Sequence, residues 1–436
     1  MDWVLALSIM LGVVSVQLMI GIPVAFAFLA ANIVGAVVFL GGMNAVMSFP
    51  LESLESLGKF SLTPIPMFIL MGELLFHTGV AIQAIGAIDR LIVRVPGRMA
   101  VVALLGGTAF ASLSGSTIAS TALIGNTLLP KMLDQGYDKR LAMGSIMSVG
   151  GIAMLIPPSA LAVLLASLAE QSVAALLIAG IVPGLLMAAF FVAYVIIRCR
   201  LQPELAPTEP SVDHRPEWRP VLVHVLPLFL IFAAVLGSMF GGFASPTEAS
   251  AIGCVATAIT CIGYRRLTLK SLQVSMIETA KITGMILFII AGSQTFAQIL
   301  AVSGGSQGLL NALTGSNLTA MSIVLVMLGI LLFLGCFMDQ VSMILLTLPF
   351  YIPLAMSHHI DMTWLMLLIL VAMELSLLTP PFGLLLFVMK GVAPRDIPLS
   401  SVYAAAAPFV ALKLLVLAIL VFWPRLATWL PDLILK

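Results

Sequence analysis

Charged residues are scarce in this chain. Asp, Glu, Lys and Arg make up 9% of its 436 residues, whereas soluble proteins carry about 25%. This scarcity excludes a soluble globular protein, and a formal net charge of +1 argues against nucleic acid as a partner. The five histidines and four cysteines show no metal-ligand spacing and no H-E-x-x-H motif, which argues against a metal-dependent intramembrane enzyme.

Hydrophobic residues fill the sequence instead. They make up 61% of the chain, and the mean hydropathy is +1.17. These values are typical of an all-α polytopic membrane protein. Because the first apolar segment follows Met1-Asp2 without a basic region, we expect a retained membrane helix there and not a cleaved signal peptide.

Residues 99–130 form an apolar stretch without charge, and basic clusters precede and follow it. Basic clusters favour the cytoplasmic side, so both ends of the stretch are expected on one face of the membrane. Thirty-two residues are too few for two crossings of roughly 20 residues each. The stretch therefore predicts a re-entrant hairpin with its tip at the Ser/Gly run 112–117. The alternative is one long tilted helix in which the glycines permit close packing.

Segment 141–169 is interrupted by Pro157-Pro158, and segment 363–391 by Pro380-Pro381. Adjacent prolines remove two backbone donors and disfavour helix at the residue before them. Each segment is therefore predicted to be a helix broken in mid-membrane. Residues 319–353 precede the second broken helix as 99–130 precede the first, and we predict a second hairpin there.

The two halves of the chain resemble each other when they are aligned with Pro23 on Pro246. In this alignment four of the nine prolines between positions 1 and 183 fall on a proline of the second half, and Ser116 falls on Asp339 and Phe110 on Phe333. This pattern predicts an internal duplication. We expect the first repeat at 1–197, a polar cytoplasmic linker at 198–220 and the second repeat at 221–436.

Five crossings and one hairpin are predicted for each repeat, which inverts the second copy. The remaining predicted crossings are 3–20, 24–42, 64–88, 173–197, 221–242, 243–263, 284–302 and 397–422, with interfacial arms or ordinary loops at 43–63 and around 267–282 and a polar loop at 303–318. This threading places both termini on the periplasmic side of the membrane and 16 of the 20 Lys and Arg residues on the cytoplasmic side. Inverted repeats with broken helices are typical of secondary transporters.

Half-helices that end in mid-membrane present free N–H groups to anions and free carbonyls to cations. The tips and breaks offer hard oxygen ligands without clustered imidazoles or thiolates, which suits Na⁺. Two Na⁺ sites are predicted. The first comprises Ser112, Ser114, Ser116, Gly150, Gly151, Ile156 and Pro157, and the second Gly335, Asp339, Ser376, Thr379, Pro380 and Gly383. Alternatively, these small residues only permit close helix packing.

Asp339 is the strongest single candidate, because an intramembrane carboxylate is costly and usually functional. Its alternative role is a helix cap at the hairpin tip. Three other carboxylates in apolar surroundings, Glu73, Glu248 and Glu374, have no assigned role and can equally hold helices together by hydrogen bonding. For the lone His77 we expect a packing or capping role.

Seven short motifs occur in order along the chain: Gly72-Glu73-Leu74, Leu113-Ser114-Gly115-Ser116, Leu155-Ile156-Pro157-Pro158-Ser159, Pro183-Gly184-Leu185-Leu186, Pro246-Thr247-Glu248-Ala249, Phe337-Met338-Asp339 and Leu378-Thr379-Pro380-Pro381-Phe382-Gly383. With them the chain resembles the DctM-type large membrane subunit of tripartite ATP-independent periplasmic (TRAP) transporters. The resemblance implies a Na⁺-driven elevator in a bacterial inner membrane, a four-helix DctQ-type partner and a periplasmic binding protein that delivers a small organic acid. It also implies that the hairpins and broken helices move, while 3–42, 173–197, 221–263 and 397–422 contribute to the scaffold.

The substrate is expected to contact backbone amides and small polar side chains at the tips and breaks. The expected residues are Ser114, Gly115, Ser116, Thr117, Pro158, Asp339, Ser342 and Pro381. A C4-dicarboxylate, a sialic or other sugar acid, or a keto acid fits this chemistry. Ala153 and Ser376 stand where the family usually has glycine, which leaves the details of ion coordination open. A one-component Na⁺/carboxylate symporter is the alternative function. A channel should show a repeated filter sequence, and none is visible in this chain.

Overall fold

The computed structural model describes residues 3–47, 49, 54, 57–92, 95–114, 116–207, 217–314, 319–381 and 383–435. Over these ranges the secondary structure is helical, with no strand. Five single helices are long and apolar enough to cross a membrane, and two bent helix pairs bring the total to seven. The prediction of an all-α polytopic membrane protein is confirmed.

The first half contains the expected hairpin and broken helix. Its α-helices are Trp3–Met19, Val24–Phe39, Met43–Val46, Pro64–Thr78, Val80–Leu91, Arg98–Ser114, Thr117–Asp134, Lys139–Leu155, Ala160–Leu168 and Val173–Leu201. We call Arg98–Ser114 with Thr117–Asp134 hairpin 1, and Lys139–Leu155 with Ala160–Leu168 broken helix 1. The two helices of hairpin 1 pack against each other, so the alternative of one long helix is wrong.

The second half follows the same order. Its α-helices are Trp218–His224, Leu226–Phe240, Pro246–Gly263, Leu269–Val302, Gly305–Thr314, Ala320–Leu334, Gln340–Ser357, Met362–Ser376, Leu384–Val392, Leu399–Phe422 and Arg425–Ile434. We call Ala320–Leu334 with Gln340–Ser357 hairpin 2, and Met362–Ser376 with Leu384–Val392 broken helix 2. In each hairpin the second helix is the return helix.

Equivalent caps start the equivalent helices of the two halves. Asp138 and Asp361, which fall on each other when the halves are aligned, each accept hydrogen bonds from the first turn of a broken helix. Ser116 and Asp339, which also fall on each other, cap the two return helices. Side-chain oxygens at these positions satisfy backbone N–H groups that the helix leaves free. Both breaks also contain a cis Pro-Pro peptide bond. These matches agree with the predicted duplication.

Two groups of helices are distinguished by their packing, although they also contact each other. The hairpins and broken helices pack together with Val173–Leu201, Leu399–Phe422 and Arg425–Ile434, and we call these the hairpin group. The other helices form the scaffold group. Because Val173–Leu201 and Leu399–Phe422 pack on the broken helices, their sequence-based assignment to the scaffold does not match the packing.

Several boundaries differ from the predicted segments. The single crossing expected at 64–88 is two helices that meet at Gly79, whose φ of +71° favours glycine. The expected arm around 267–282 and crossing 284–302 are one continuous 34-residue helix. Crossing 221–242 bends by 41° between Trp218–His224 and Leu226–Phe240, and the loop 303–318 contains a helix, Gly305–Thr314.

Candidate transport site

Both hairpin tips reach the same carboxylate. The Thr117 hydroxyl, at the start of the hairpin 1 return helix, donates to Oε1 of Glu374 at 2.7 Å. The side-chain amide of Gln340, at the start of the hairpin 2 return helix, donates to the same oxygen at 2.7 Å. Glu374 lies on broken helix 2 and is fully buried. One carboxylate therefore joins both hairpins to a broken helix.

The cation that faces this carboxylate is Lys413, from the helix Leu399–Phe422. Its Nζ lies 3.5 Å from Oε2 of Glu374, and both side chains have no solvent exposure. The same ammonium lies 3.4 Å from the backbone oxygen of Glu374, to which it donates. A lone charge at this depth is costly, and a buried partner of opposite sign offsets much of that cost.

Two glycines on broken helix 1 make room for the cluster. A Cβ at Gly150 would overlap the methyl group of Thr117, and a Cβ at Gly151 would overlap Cε and Nζ of Lys413. Any larger residue would displace the hairpin tip or the ammonium. The first broken helix therefore contributes space, while the second contributes the charge of Glu374.

The first predicted Na⁺ site is only partly described. Gly115 and the side chains of Ser112 and Ser114 lie outside the described residues. The Ser116 hydroxyl accepts a hydrogen bond from the backbone N–H of Ala119 at 3.3 Å, as a helix cap does. Gly150 and Gly151 face Thr117 and Lys413. Cation binding by this set stays a prediction.

The break of the first helix is closed. Pro157 and Pro158 are buried and Ile156 is half-buried. Ile156 also packs on Gly184 of the helix Val173–Leu201. The break itself lies where the sequence predicted it, with the two half-helices bent by 43°.

At the second tip, Asp339 caps the return helix. Its carboxylate accepts a hydrogen bond from the backbone N–H of Ser342 at 3.2 Å and another from the Ser342 hydroxyl. This is the capping role given as the alternative for Asp339. A cation-binding role for either residue stays a prediction, as does contact with substrate.

The other members of the second predicted site lie close to one another. A Cβ at Gly335 would overlap the Ser376 side chain, so hairpin 2 and broken helix 2 are in contact there. The thiol of Cys336 lies 3.9 Å from the carbonyl of Thr379 and 3.8 Å from that of Pro380. Gly383 donates its N–H to Thr379 at 3.2 Å.

The break of the second helix is open, unlike the first. Pro380 and Pro381 are exposed. The Tyr403 hydroxyl donates to the Pro381 carbonyl at 2.8 Å. An ion or a substrate can therefore approach Pro380 and Pro381 from outside the helix bundle, whereas Pro158 at the first break is enclosed.

Two of the other carboxylates singled out in the sequence, Glu73 and Glu248, have local partners. Glu73 lies 3.1 Å from Nε2 of His77, one helical turn later, so His77 pairs with a carboxylate. Glu248 forms a capping box with Ser245, whose N–H and hydroxyl both donate to it at 2.7 Å. Within the described ranges no group of three His, Cys, Asp or Glu side chains forms a transition-metal site.

A cavity of about 230 Å³ lies at the interface between the hairpin group and the scaffold group. It lies between hairpin 2 and the helix Leu269–Val302, and Ser293, Gln294, Leu345 and Pro349 are among its lining residues. At one edge the Ser293 hydroxyl donates to the Leu345 carbonyl at 2.6 Å. A larger groove of about 750 Å³ lies near Arg90 and Glu217, away from both tips.

Two central residues were not identified from the sequence. Gln340 follows Asp339 directly and carries no charge. Lys413 interrupts the apolar run 399–422, and the rule that selected Asp339, that intramembrane charge is costly, applies to it equally.

Comparison with known proteins identifies the family. The model described as "Tripartite ATP-independent periplasmic transporter, DctM component" matches residues 11–426. The chain belongs to the DctM family of TRAP transporters. It is 32% identical over 396 residues to the C4-dicarboxylate TRAP transporter large permease protein DctM of Pseudomonas aeruginosa, with 91% of this chain and 92% of that protein covered.

Other similarities agree with this DctM membership. The ectoine TRAP transporter large permease protein TeaC of Halomonas elongata is 28% identical, with 98% of this chain and 99% of that protein covered. The YdaH transporter of Alcanivorax borkumensis shares the fold at a TM-score of 0.63 and 12% identity, with 91% of each chain covered. As a DctM-family chain, the protein is the large permease of a TRAP secondary transporter, a multi-pass membrane protein and not an enzyme.

Proposed function

We propose that this permease imports a small organic acid anion, driven by Na⁺, through an elevator movement of the hairpin group against the scaffold group. The observation that carries the proposal is the shared carboxylate of Glu374, which bonds to Thr117 of hairpin 1 and Gln340 of hairpin 2. Elements joined in this way move together.

The contacts between the two groups fit a sliding interface. Hairpin 1 and the second half of broken helix 1 pack on Pro64–Thr78, and hairpin 2 packs on Leu269–Val302 and Gly305–Thr314. The interface contains the cavity beside Ser293 and is less tightly closed there than the Glu374 cluster. A rigid group can shift along such an interface without breaking its own buried ion pair.

The substrate site would use the two return helices. They begin at Thr117 and Gln340, and each is 18 residues long. Their N-terminal N–H groups and dipoles favour the carboxylate of an organic acid. The hydroxyls of Ser116 and Ser342 and the N–H groups beside Gly115 would orient it. Two Na⁺ ions would bind the carbonyls released at the tips and at the two Pro-Pro breaks, as the predicted sites describe.

The proposed partners follow from the tripartite family. A periplasmic binding protein would deliver the substrate, and a four-helix DctQ-type subunit would support the scaffold group in the bacterial inner membrane. Both termini would lie in the periplasm and the linker in the cytoplasm. The relative from Pseudomonas aeruginosa is named for C4-dicarboxylates, which are small organic acid anions, and this supports the proposed class.

Reconstituted transport tests the proposal. The permease and its small subunit are placed in proteoliposomes, and substrate-loaded binding protein is added outside. Uptake of the substrate is then followed with and without an inward Na⁺ gradient. We expect uptake only when the Na⁺ gradient and the binding protein are both present. Full uptake of free substrate without the binding protein would favour the one-component symporter, and uptake without Na⁺ would contradict ion coupling.

A further inference from the structure

Lys413 is the one charge in the hairpin group that faces Glu374 among the described residues. The other charged side chains on the helices packed against Leu399–Phe422 lie within three residues of a helix end: Lys139, Arg140, Arg198, Arg200 and Lys390. Lys413 and Glu374 therefore form an isolated pair, with neither side chain exposed.

The pair has no counterpart in the other repeat. When the halves are aligned with Pro23 on Pro246, Gly151 falls on Glu374, and Thr117 falls on Gln340. The two hydrogen-bond donors to Glu374 thus occupy equivalent places in the two hairpins, while the carboxylate occurs in one copy only. Lys413 reaches the carboxylate across the space left by Gly151.

The carboxylate still has an open coordination side. Thr117 and Gln340 both donate to Oε1. Oε2 accepts no hydrogen bond in the described part of the chain, and Lys413 Nζ lies 3.5 Å from it. A buried carboxylate oxygen needs a positive charge or a proton beside it. Nζ supplies that positive charge, on the side of the carboxylate that accepts no hydrogen bond.

We propose that Lys413 is a tethered counter-ion that closes a latent monovalent-cation site on Glu374. The inference rests on the proposed Na⁺ coupling and adds that Glu374 takes no exchangeable ion in the natural protein. Because both residues belong to the hairpin group, the ammonium moves with the carboxylate in both directions. The pair then crosses as a neutral unit and adds no charge to the transport cycle.

Removing the ammonium should open the site. In a Lys413→Met variant the Glu374 carboxylate would have to bind Na⁺ or a proton in order to stay buried. If that ion is released on the other side, each cycle carries about one more cation per substrate than the natural protein does. A Glu374→Gln change added to the same variant removes the carboxylate and should abolish the effect.

The direct test measures ion binding and does not depend on transport. The permease with its small subunit is placed in nanodiscs, and its melting temperature is recorded from low to high NaCl at constant ionic strength with choline chloride, at pH 6 and pH 8. We expect all three proteins to share the stabilisation that the two proposed Na⁺ sites give, and Lys413→Met to gain a further stabilisation by Na⁺ or by protons beyond that of the natural protein and of Lys413→Met/Glu374→Gln. Identical ion responses in all three would overturn the proposal.

A second variant applies if Lys413→Met does not fold. Gly151→Ala keeps the lysine and displaces its ammonium, because the new methyl group would occupy the position of Nζ and Cε. It should show the same new ion dependence, and Gly151→Ala/Glu374→Gln should lose it. An unchanged ion response in Gly151→Ala would contradict the tethered counter-ion.

The two proposals fail differently. If uptake by the natural protein does not depend on Na⁺, the proposed function is wrong, while the comparison of Lys413→Met with its double variant still reports the latent site. If uptake is Na⁺-driven but the charge moved per substrate is equal in the natural protein and Lys413→Met, and the melting temperatures show no new ion dependence, only the inference about Lys413 is wrong.

Discussion

The two broken helices share a plan but differ in charge and exposure. Both start at an aspartate cap and break at a cis Pro-Pro bond. At the equivalent position the first has Gly151 and the second has Glu374. The first break is buried and the second is exposed. Duplication therefore preserves the backbone, whereas the central carboxylate and the accessible break belong to one copy.

Because of this difference, one residue, Glu374, forms hydrogen bonds to both hairpins and so joins the two halves of the chain. Hairpin 1 belongs to the first repeat, yet its tip residue Thr117 bonds to Glu374 of the second. The return helix of hairpin 1 also packs on the second half of broken helix 2, where Gly125 meets Val392. The repeats are thus interlocked, and the asymmetric carboxylate lies where they meet.

The largest effect is expected from Glu374→Ala. It leaves the Lys413 ammonium buried without a partner, which costs about 3–5 kcal/mol. Thermal unfolding of the purified permease should show a large loss of stability. The double variant Glu374→Ala/Lys413→Met removes both charges and should recover much of it. A double variant no more stable than the single one would show that the pair does not organise the centre.

The glycines that face the tips come next. Gly150→Ala would force the Thr117 methyl aside, at a cost of about 1–3 kcal/mol, and Thr117→Ser in the same chain should relieve it while keeping the hydroxyl. Gly329→Ala is the matched control, since a Cβ at Gly329 meets nothing within 4 Å. Melting temperatures check both. Equal losses for Gly150→Ala and Gly329→Ala would contradict the close approach of hairpin 1.

The tip residues distinguish capping from ion binding. Asp339→Asn can still accept the Ser342 N–H but loses the charge, so the proposed second Na⁺ site predicts roughly tenfold weaker apparent Na⁺ affinity at nearly unchanged stability. Asp339→Ala should lose both. Ser116→Ala should weaken Na⁺ dependence through the first site. Uptake measured against Na⁺ concentration decides, and unchanged Na⁺ dependence in all three variants would remove both sites.

The smallest effect concerns the caps at the two breaks. Ser159 caps the second half of broken helix 1 by accepting a hydrogen bond from the Ala162 N–H at 3.3 Å. The second half of broken helix 2 begins at Leu384, and its N-cap residue, Gly383, provides no side-chain cap. Ser159→Ala should cost about 1 kcal/mol, and Ser159→Thr, which can still cap, should stay near the natural melting temperature. If Ser159→Ala does not lower the melting temperature, the Ser159 cap does not stabilise the first break, and the two breaks do not differ in capping.

The sequence predicted the elements more fully than it predicted their contacts. Prolines and basic clusters mark breaks and membrane sides locally, so the hairpin at 99–130 and the break at Pro157-Pro158 were readable. The partner of Thr117 is 257 residues away, and nothing in the local pattern indicates it. The sequence predicts two segments within the continuous helix Leu269–Val302, because its charged first part and its apolar second part differ in composition, not in backbone.

Lys413 shows a different limit. It is visible in the sequence as a charge in an apolar run, but its meaning depends on the glycine that admits it and on the carboxylate it meets. Asp339 shows the reverse case, since the rule that selected it identified a residue whose observed partners are those of a helix cap. The roles of Lys413 and Asp339 are distinguished by which residues each one contacts, and the sequence alone does not contain those contacts.

Cross-linking tests most directly whether the hairpin group moves as one body. After replacement of the four native cysteines, one variant carries cysteines at Gly125 and Val392, both inside the hairpin group, where the glycine's Cβ would lie 3.6 Å from that of Val392. The other carries them at Ser293 and Leu345, which join the scaffold to hairpin 2. With mercury ions added, the account predicts that the first pair leaves Na⁺-driven uptake intact and the second stops it until a thiol is added. Uptake that survives the Ser293–Leu345 cross-link but is lost with the Gly125–Val392 cross-link would contradict it.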